Sequence, residues 1–263
     1  MADEFVDVLI VGAGLSGIGA AVHLQRRCPK HRFAIVEARQ ALGGTWDLFR
    51  YPGVRSDSDM HTLGYAFRPW TEPKAIACGP TILNYLRDTA REHDLERRIR
   101  FGHRVVRADW SSAQAQWTVE LHREQGGGTI TLRCAFLYMC CGYYDYASGH
   151  QPQFPGQESF GGRIVHPQHW PEDLDVAGRR VLVIGSGATA VTLVPALARN
   201  AAHVTMLQRS PTWMVARPSV DPVEKWLRAR LPLRAALKLT RWKNVLLGMA
   251  VFRLCRRNPQ RMR

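Results

Sequence analysis

Acidic residues are scarce in this sequence of 263 residues: 22 Asp or Glu stand against 36 Lys or Arg, a formal net charge of +14. An excess of that size raises nucleic acid or an anionic membrane as a partner, so its distribution decides the matter. Residues 221–263 hold 12 Lys or Arg against 2 acidic residues, and so carry ten of the fourteen excess charges. The rest of the chain is close to balanced, which excludes a basic face spread over the whole molecule, and no nucleic-acid partner is expected. CxxC pairs are lacking too. The six cysteines (Cys28, Cys78, Cys134, Cys140, Cys141, Cys255) have neither metal-ligand nor dithiol spacing, and no metal is expected. No secretory segment is evident after the opening Met-Ala-Asp-Glu, so a reducing, cytoplasmic setting is expected. Long apolar runs are missing as well: Val245–Phe252 falls far short of the ~20 residues that a membrane-spanning helix requires. With 46% hydrophobic and 22% charged residues and no low-complexity tract, the composition is that of globular α/β domains.

What is present begins with a βαβ opening. Val6–Val11 is a continuous apolar run, Gly12–Gly17 a glycine turn, Ile18–Arg27 a helix and Phe33–Glu37 a second buried strand. Pro80–His93 has helical periodicity. Val105–Trp110, Trp117–His122 and Thr129–Cys134 then alternate like antiparallel strands, with Gly126–Gly128 turning between the last two. An apolar run, Phe136–Cys141, leads into the Pro- and Gly-containing stretch Tyr143–Gly178, which has the composition of an inter-domain linker. A second βαβ follows, with Val181–Ile184 as strand, Gly185–Gly187 as turn, Ala188–Arg199 as helix and His203–Gln208 as the next strand. The same unit used twice, with Gly12 and Gly185 in equivalent places 173 residues apart, predicts an α/β chain with two Rossmann-like dinucleotide-binding domains. The expected division is 1–145, 146–178 as linker, and 179–263. Beyond Pro218, Leu231, Ala235, Leu239, Trp242, Leu246 and Met249 fall at helical spacing while Arg234, Lys238 and Arg241 line another face. A basic amphipathic helix is expected there, packed on the second domain or in peripheral contact with a membrane surface or an acidic partner.

The chemistry rests on the turns. Gly12-Ala13-Gly14-Leu15-Ser16-Gly17 is a GxGxxG between a buried strand and a helix. Gly12 permits the tight turn, Gly14 admits a pyrophosphate to the backbone, Gly17 lets helix and strand pack, and the helix N-terminus offers N–H groups to the anion. Glu37, at the end of the second strand, is placed to accept hydrogen bonds from ribose hydroxyls. The second motif, Gly185-Ser186-Gly187-Ala188-Thr189-Ala190, is the GxGxxA variant, and its strand runs into Gln208-Arg209-Ser210 with no acid. A carboxylate there repels a 2′-phosphate whereas the Arg209 guanidinium binds one, so NADPH is expected at this site, contacted by Gly185, Ser186, Gly187, Thr189, Arg209 and Ser210. Between the motifs lies Gly43-Gly44-Thr45-Trp46, two glycines that let the chain pass close to a flavin, followed by Arg50-Tyr51-Pro52-Gly53-Val54-Arg55-Ser56-Asp57. Cys140 and Cys141 adjoin at a strand end and read as buried small side chains.

Phe160–Trp170 spells FxGxxxHxxxW. With GGTWDLFRYPGVRSDSDM upstream and VIGSGATAVTLVPALA downstream, residues 5–263 resemble the Baeyer–Villiger and flavin-containing monooxygenases, the class B flavoprotein monooxygenases. The resemblance implies FAD at the first motif, with Gly44, Thr45 and Trp46 beside it, and NADPH at the second. It implies that NADPH reduces FAD, that O2 reacts with the reduced flavin, and that one oxygen atom passes into a ketone or onto a soft sulfur or nitrogen centre. By the family pattern Asp57 lies near the flavin and partners an arginine, while His166 and Trp170 couple the linker to movement of the NADP domain. The family's chain continues past the position of Arg263, so both domains are expected to be incomplete here. Two rivals stay open: an N- or S-oxidising flavin monooxygenase that forms no esters, and a noncatalytic truncated chain whose basic end associates with anionic surfaces.

Overall fold

In a computed structural model, residues 4–210, 214 and 218–258 are described. Residues 1–3 and 259–263, at the ends of the expected domains, lie outside them. In chain order the elements are β1 (Glu4–Val11), α1 (Leu15–Arg27), β2 (Phe33–Val36), α2 (Thr45–Leu48), α3 (Met60–Leu63), α4 (Gly79–Glu92), β3 (Ile99–Arg100), β4 (His103–Ser111), β5 (Gln116–Arg123) and β6 (Thr129–Met139). They continue with β7 (Arg180–Ile184), α5 (Ala188–Leu197), β8 (His203–Leu207), α6 (Pro222–Arg228) and α7 (Leu233–Arg257). The chain divides into two compact units, residues 1–52 with 79–175, and residues 53–78 with 176–263.

The first unit is built on a six-stranded sheet of order β3-β2-β1-β6-β5-β4. β1, β2, β3 and β6 run parallel, and β4 and β5 add an antiparallel pair. All four residues of β2 are buried, which is why this strand reads as a continuous apolar run with no alternation. α1 covers the sheet with Gly17, Ile18, Ala21 and Val22, one helical face, and its last turn carries Arg26 and Arg27 where the helix dipole favours cations. Thr129–Cys134 and Phe136–Cys141, expected as separate strands, are corrected by the structure to one strand, β6. It pairs antiparallel with β5 through Thr129–Cys134 and parallel with β1 from Leu132 to Met139. A single strand thus joins the meander to the parallel core, because Leu132 and Cys134 are buried in the same cluster as Leu9 and Val36.

The second unit contains the parallel pair β7-β8, with α5 packing through Ala190, Leu193 and Leu197. Residues 53–78 belong to this unit and are held by polar contacts. Asn244 Nδ2 donates to Asp59 Oδ1 at 2.9 Å, Arg241 Nη1 donates to the carbonyls of His61 (2.8 Å) and Gly64 (2.7 Å), and Ala75 N donates to Ser219 O at 2.7 Å. The expected amphipathic helix forms, but on a different face. α7 buries Ala236, Leu237, Thr240 and Asn244, whereas Leu239, Trp242, Leu246 and Met249 are exposed. Hydrogen-bonded partners hold the buried face, so hydropathy did not mark it. No helix among the described residues is long and apolar enough to cross a membrane.

Candidate functional site

The first glycine turn follows β1 directly. Gly12 has φ +108°, and a Cβ there would lie 2.5 Å from Cys140 O, on the chain where β6 ends and Cys140 N donates to Val11 O at 2.8 Å. A Cβ on Gly17 would penetrate the Gly12 carbonyl. Gly14 differs: the nearest atom to a Cβ there is Gly44 Cα at 3.7 Å, an ordinary contact. Gly12 and Gly17 are glycine because the chain packs on them, while at Gly14 a side chain would make only ordinary contact with Gly44. Gly14 is also the N-cap of α1 and gives that helix no side-chain cap, so the helix start presents backbone at this turn.

Glu37 is buried just beyond β2, and both its carboxylate oxygens hold the turn. Oε2 accepts from Ala13 N at 2.8 Å and Oε1 from Arg39 N at 3.0 Å. Each oxygen keeps a further lone pair. Opposite Gly14, the Gly43–Gly44 turn opens α2 and brings Thr45 and a half-buried Trp46 to the same side. This turn is pinned by residues that motif reading passed over. Arg39 Nη1 donates to Gly44 O at 3.2 Å and Arg39 Nη2 to Asp47 Oδ2 at 2.7 Å, while Arg87 Nη2 reaches Asp47 Oδ1 at 3.3 Å. Asp47 is buried and paired on both oxygens, so the cation pair offsets the desolvation of its charge. Tyr146, also outside every motif, places its hydroxyl 3.2 Å from Thr45 Oγ1. Every cysteine among the described residues is free; Cys140 and Cys141, expected as buried side chains, are half-buried and exposed, and partial burial still pushes the Cys140 thiol up to about 11, so it stays protonated near neutral pH.

The second motif repeats the arrangement more openly. Gly185 has φ +130°, Gly187 is the N-cap of α5 without a side-chain cap, and a Cβ on either would meet nothing within 4 Å. Ser186 Oγ donates to Ser210 O at 3.2 Å, tying the turn to the chain after β8. Thr189 is half-buried in the first turn of α5. Arg209 is exposed, and no residue among those described pairs with its guanidinium. Asp57, in the second unit, is also exposed and follows the buried Ser56, whose Oγ accepts from Ala77 N at 3.2 Å.

The FxGxxxHxxxW segment packs within the first unit. Phe160 lies over Gly162, where a Cβ would stand 2.6 Å from its ring, and the His166 imidazole fills the place of a side chain on Gly149. His166 Nδ1 accepts from Gln168 N at 3.2 Å, capping a single 3-10 turn, and the buried Gln168 donates through Nε2 to Asp145 O at 2.6 Å. Desolvation, with His169 and His150 nearby, holds the His166 pKa below the ordinary histidine value. It is thus a neutral acceptor at neutral pH. Trp170 ends this turn half-buried.

A family model described as flavin-binding monooxygenase-like matches residues 75–233, more than half the chain, and one described as an NAD(P)-binding Rossmann-like domain matches residues 10–71. The chain belongs to the flavin-binding monooxygenase-like family. Among curated proteins of the family it is 56% identical over 262 residues to the FAD-containing monooxygenase EthA of Mycobacterium tuberculosis (strain H37Rv), covering 99% of this chain and 53% of that one. Among solved structures it resembles cyclohexanone monooxygenase from Rhodococcus sp. Phi1 bound to NADP+, with TM-score 0.68, 30% identity, and coverage of 81% of this chain and 40% of that one. It also resembles the OTEMO complex with FAD and NADP, with TM-score 0.68, 30% identity and coverage of 81% and 40%. The chain thus spans about half the length of the curated flavin-binding monooxygenases it matches.

Proposed function

We propose that the first unit holds FAD, that the second holds NADPH, and that the polypeptide at the length of its relatives is a monooxygenase. It would insert one oxygen atom of O2 into small ketones or oxidise sulfur compounds such as thioamides and thioethers. The observation that carries this reading is Gly14: a Cβ there would make only ordinary contact with Gly44, so nothing in the chain's own packing requires glycine, and a ligand that must approach the backbone supplies the reason. The surroundings fit a dinucleotide. Gly12 and Gly17 set the turn, the uncapped start of α1 faces an anion, and Glu37 has lone pairs left for ribose hydroxyls. Gly44, Thr45 and Trp46 close the opposite side. When bound, FAD supplies the redox and oxygen-transfer chemistry that no side chain provides. Gly185, Ser186, Gly187 and Thr189 hold the second pyrophosphate at the start of α5, and Arg209 with Ser210 binds the 2′-phosphate. Asp57, His166 and Trp170 keep the roles that the family resemblance implies for them. Residues 1–145 serve FAD and 179–263 serve NADPH, with 53–78 packing on the second unit.

The test uses the full-length polypeptide. It is expected to purify with flavin absorbance and to oxidise NADPH in preference to NADH, giving a lactone from a cyclic ketone or a sulfoxide from a thioether. Sulfoxide without any lactone would favour the N- or S-oxidising rival, and absence of flavin would sink the proposal. Arg209→Ala should lose about ten- to a hundred-fold in affinity for NADPH and leave NADH unchanged, the value of one charge-assisted contact. Equal losses for both nucleotides would mean that Arg209 only supports the fold.

A further inference from the structure

Tyr146 stands beside the meeting point of the two glycine turns. A Cβ on Gly44 would lie 3.2 Å from Gly14 Cα and 3.2 Å from the Tyr146 hydroxyl, so the phenol stands beside the place where the two glycine turns meet. The Tyr146 and Thr45 hydroxyls are 3.2 Å apart, and either can donate to the other. Two hydroxyls carry two protons, and their mutual bond uses one. One donor proton is therefore left over. A phenol is far more acidic than an aliphatic alcohol and is the stronger donor, so the lower-energy arrangement near an anion has Thr45 donating to Tyr146 and Tyr146 donating outward. Arg39 keeps the ring in place from the other side, its guanidinium 5.9 Å from the ring centroid while it donates to Gly44 O. Desolvation raises the Tyr146 pKa against the opposing pull of the Thr45 hydrogen bond, so the group is a neutral donor at physiological pH.

We propose that Tyr146 is a cofactor-binding residue whose hydroxyl, oriented by Thr45, donates a hydrogen bond to an anionic oxygen of the dinucleotide that lies across the adjoining turns at Gly14 and Gly44. This rests on the assignment of FAD to the first unit. It adds a ligand from outside the glycine motifs, supplied by the chain that follows β6.

The experiment is FAD titration of the apo form of the full-length protein, followed by flavin fluorescence, for wild type, Tyr146→Phe and Thr45→Val. Tyr146→Phe keeps the ring on Arg39 and should weaken FAD binding about ten-fold or more, as expected for losing a hydrogen bond to a charged group. Thr45→Val removes only the orienting partner and should weaken binding by less. The thermal midpoint of apo Tyr146→Phe should match that of the apo wild type, which separates a ligand contact from a structural one. Wild type and Tyr146→Phe binding FAD within about two-fold of each other would overturn the inference and leave the FAD assignment standing. A wild type that binds no FAD would overturn both.

Discussion

A Cβ on Gly14 would sit 3.7 Å from its nearest neighbour, Gly44 Cα, whereas one on Gly12 would sit 2.5 Å from Cys140 O, so substitutions within one motif should fail for different reasons. Gly17→Ala drives a methyl into the Gly12 carbonyl and should destabilise the apoprotein, by about 1–3 kcal/mol if α1 shifts to relieve the overlap. Gly14→Ala makes only an ordinary contact with Gly44 and should leave the apo thermal midpoint nearly unchanged while lowering flavin retention. Thermal denaturation of the two apoproteins, with flavin absorbance at equal protein, separates the effects. A large loss of apo stability in Gly14→Ala would show that Gly14 has a packing role after all. The motif glycines and Glu37 were legible in the sequence because spacing identifies them. Arg39, Asp47, Arg87 and Tyr146 were not. Their juxtaposition comes from β2, α2, α4 and the chain after β6 folding together, and no local spacing reports it.

Helices α3 and α7 carry the clearest difference between hydropathy and packing. The stripe of large apolar residues on α7 faces solvent, and the buried stripe includes Thr240 and Asn244, because residues 53–78 offer Asp59 and backbone carbonyls as partners. The βαβ units, by contrast, were readable to within a few residues, the first because β2 is buried on both faces and leaves an apolar run, the second because its strands keep that run although they alternate between half-buried and exposed residues here. One consequence concerns His61 on α3. It is buried, and its Nε2 has no hydrogen-bond partner among the described residues. Desolvation lowers its pKa, Arg228 adds to that, and Glu224, Asp59 and Asp221 pull the other way without reversing it. An imidazole that takes up its proton less readily when folded penalises the native state in acid. Stability should therefore fall as pH drops through about 6.5, the value of the unfolded imidazole, and level off below the lower folded value. Asp221 acts in a separate window. Burial would raise its pKa, but Lys243 and the N–H groups of Glu224 and Val223 outweigh burial and hold it below the ordinary value. Its contribution is lost only as pH falls below about 3.9. Thermal midpoints of the full-length protein between pH 7.5 and pH 5, for wild type and His61→Asn, test this: the variant should lose the slope. Parallel curves for the two proteins would remove His61 as its source.

At the scale of the whole molecule, apolar side chains remain exposed on both sheets and on the last helix. On β6 these include Phe136 (58% exposed), on β7 Leu182 and Ile184 (56% and 54%), and on β8 Leu207 (53%). α7 adds Trp242, Leu246 and Phe252, with Arg253, Arg256 and Arg257 around the final turns. Parallel strands ordinarily have both faces covered, and β7-β8 is a two-stranded sheet with open edges among the described residues. A polypeptide of these 263 residues alone is therefore expected to self-associate. Two forces compete to set how. Apolar association strengthens or holds as sulfate is added, whereas contact of the basic end with anionic surfaces weakens once the Debye length falls below about 8 Å. The exposed apolar groups lie on both units and the charge lies on 221–263, so the apolar term should dominate. Sedimentation velocity of the 263-residue polypeptide should show concentration-dependent association that persists at high salt, with dye binding to exposed apolar surface. Replacing Ile184 and Leu207, exposed cross-strand partners in the β7-β8 pair, by Thr should reduce it while keeping strand propensity. A monomer at all concentrations that binds anionic vesicles and releases them with salt would reverse the ranking and favour the surface-binding rival.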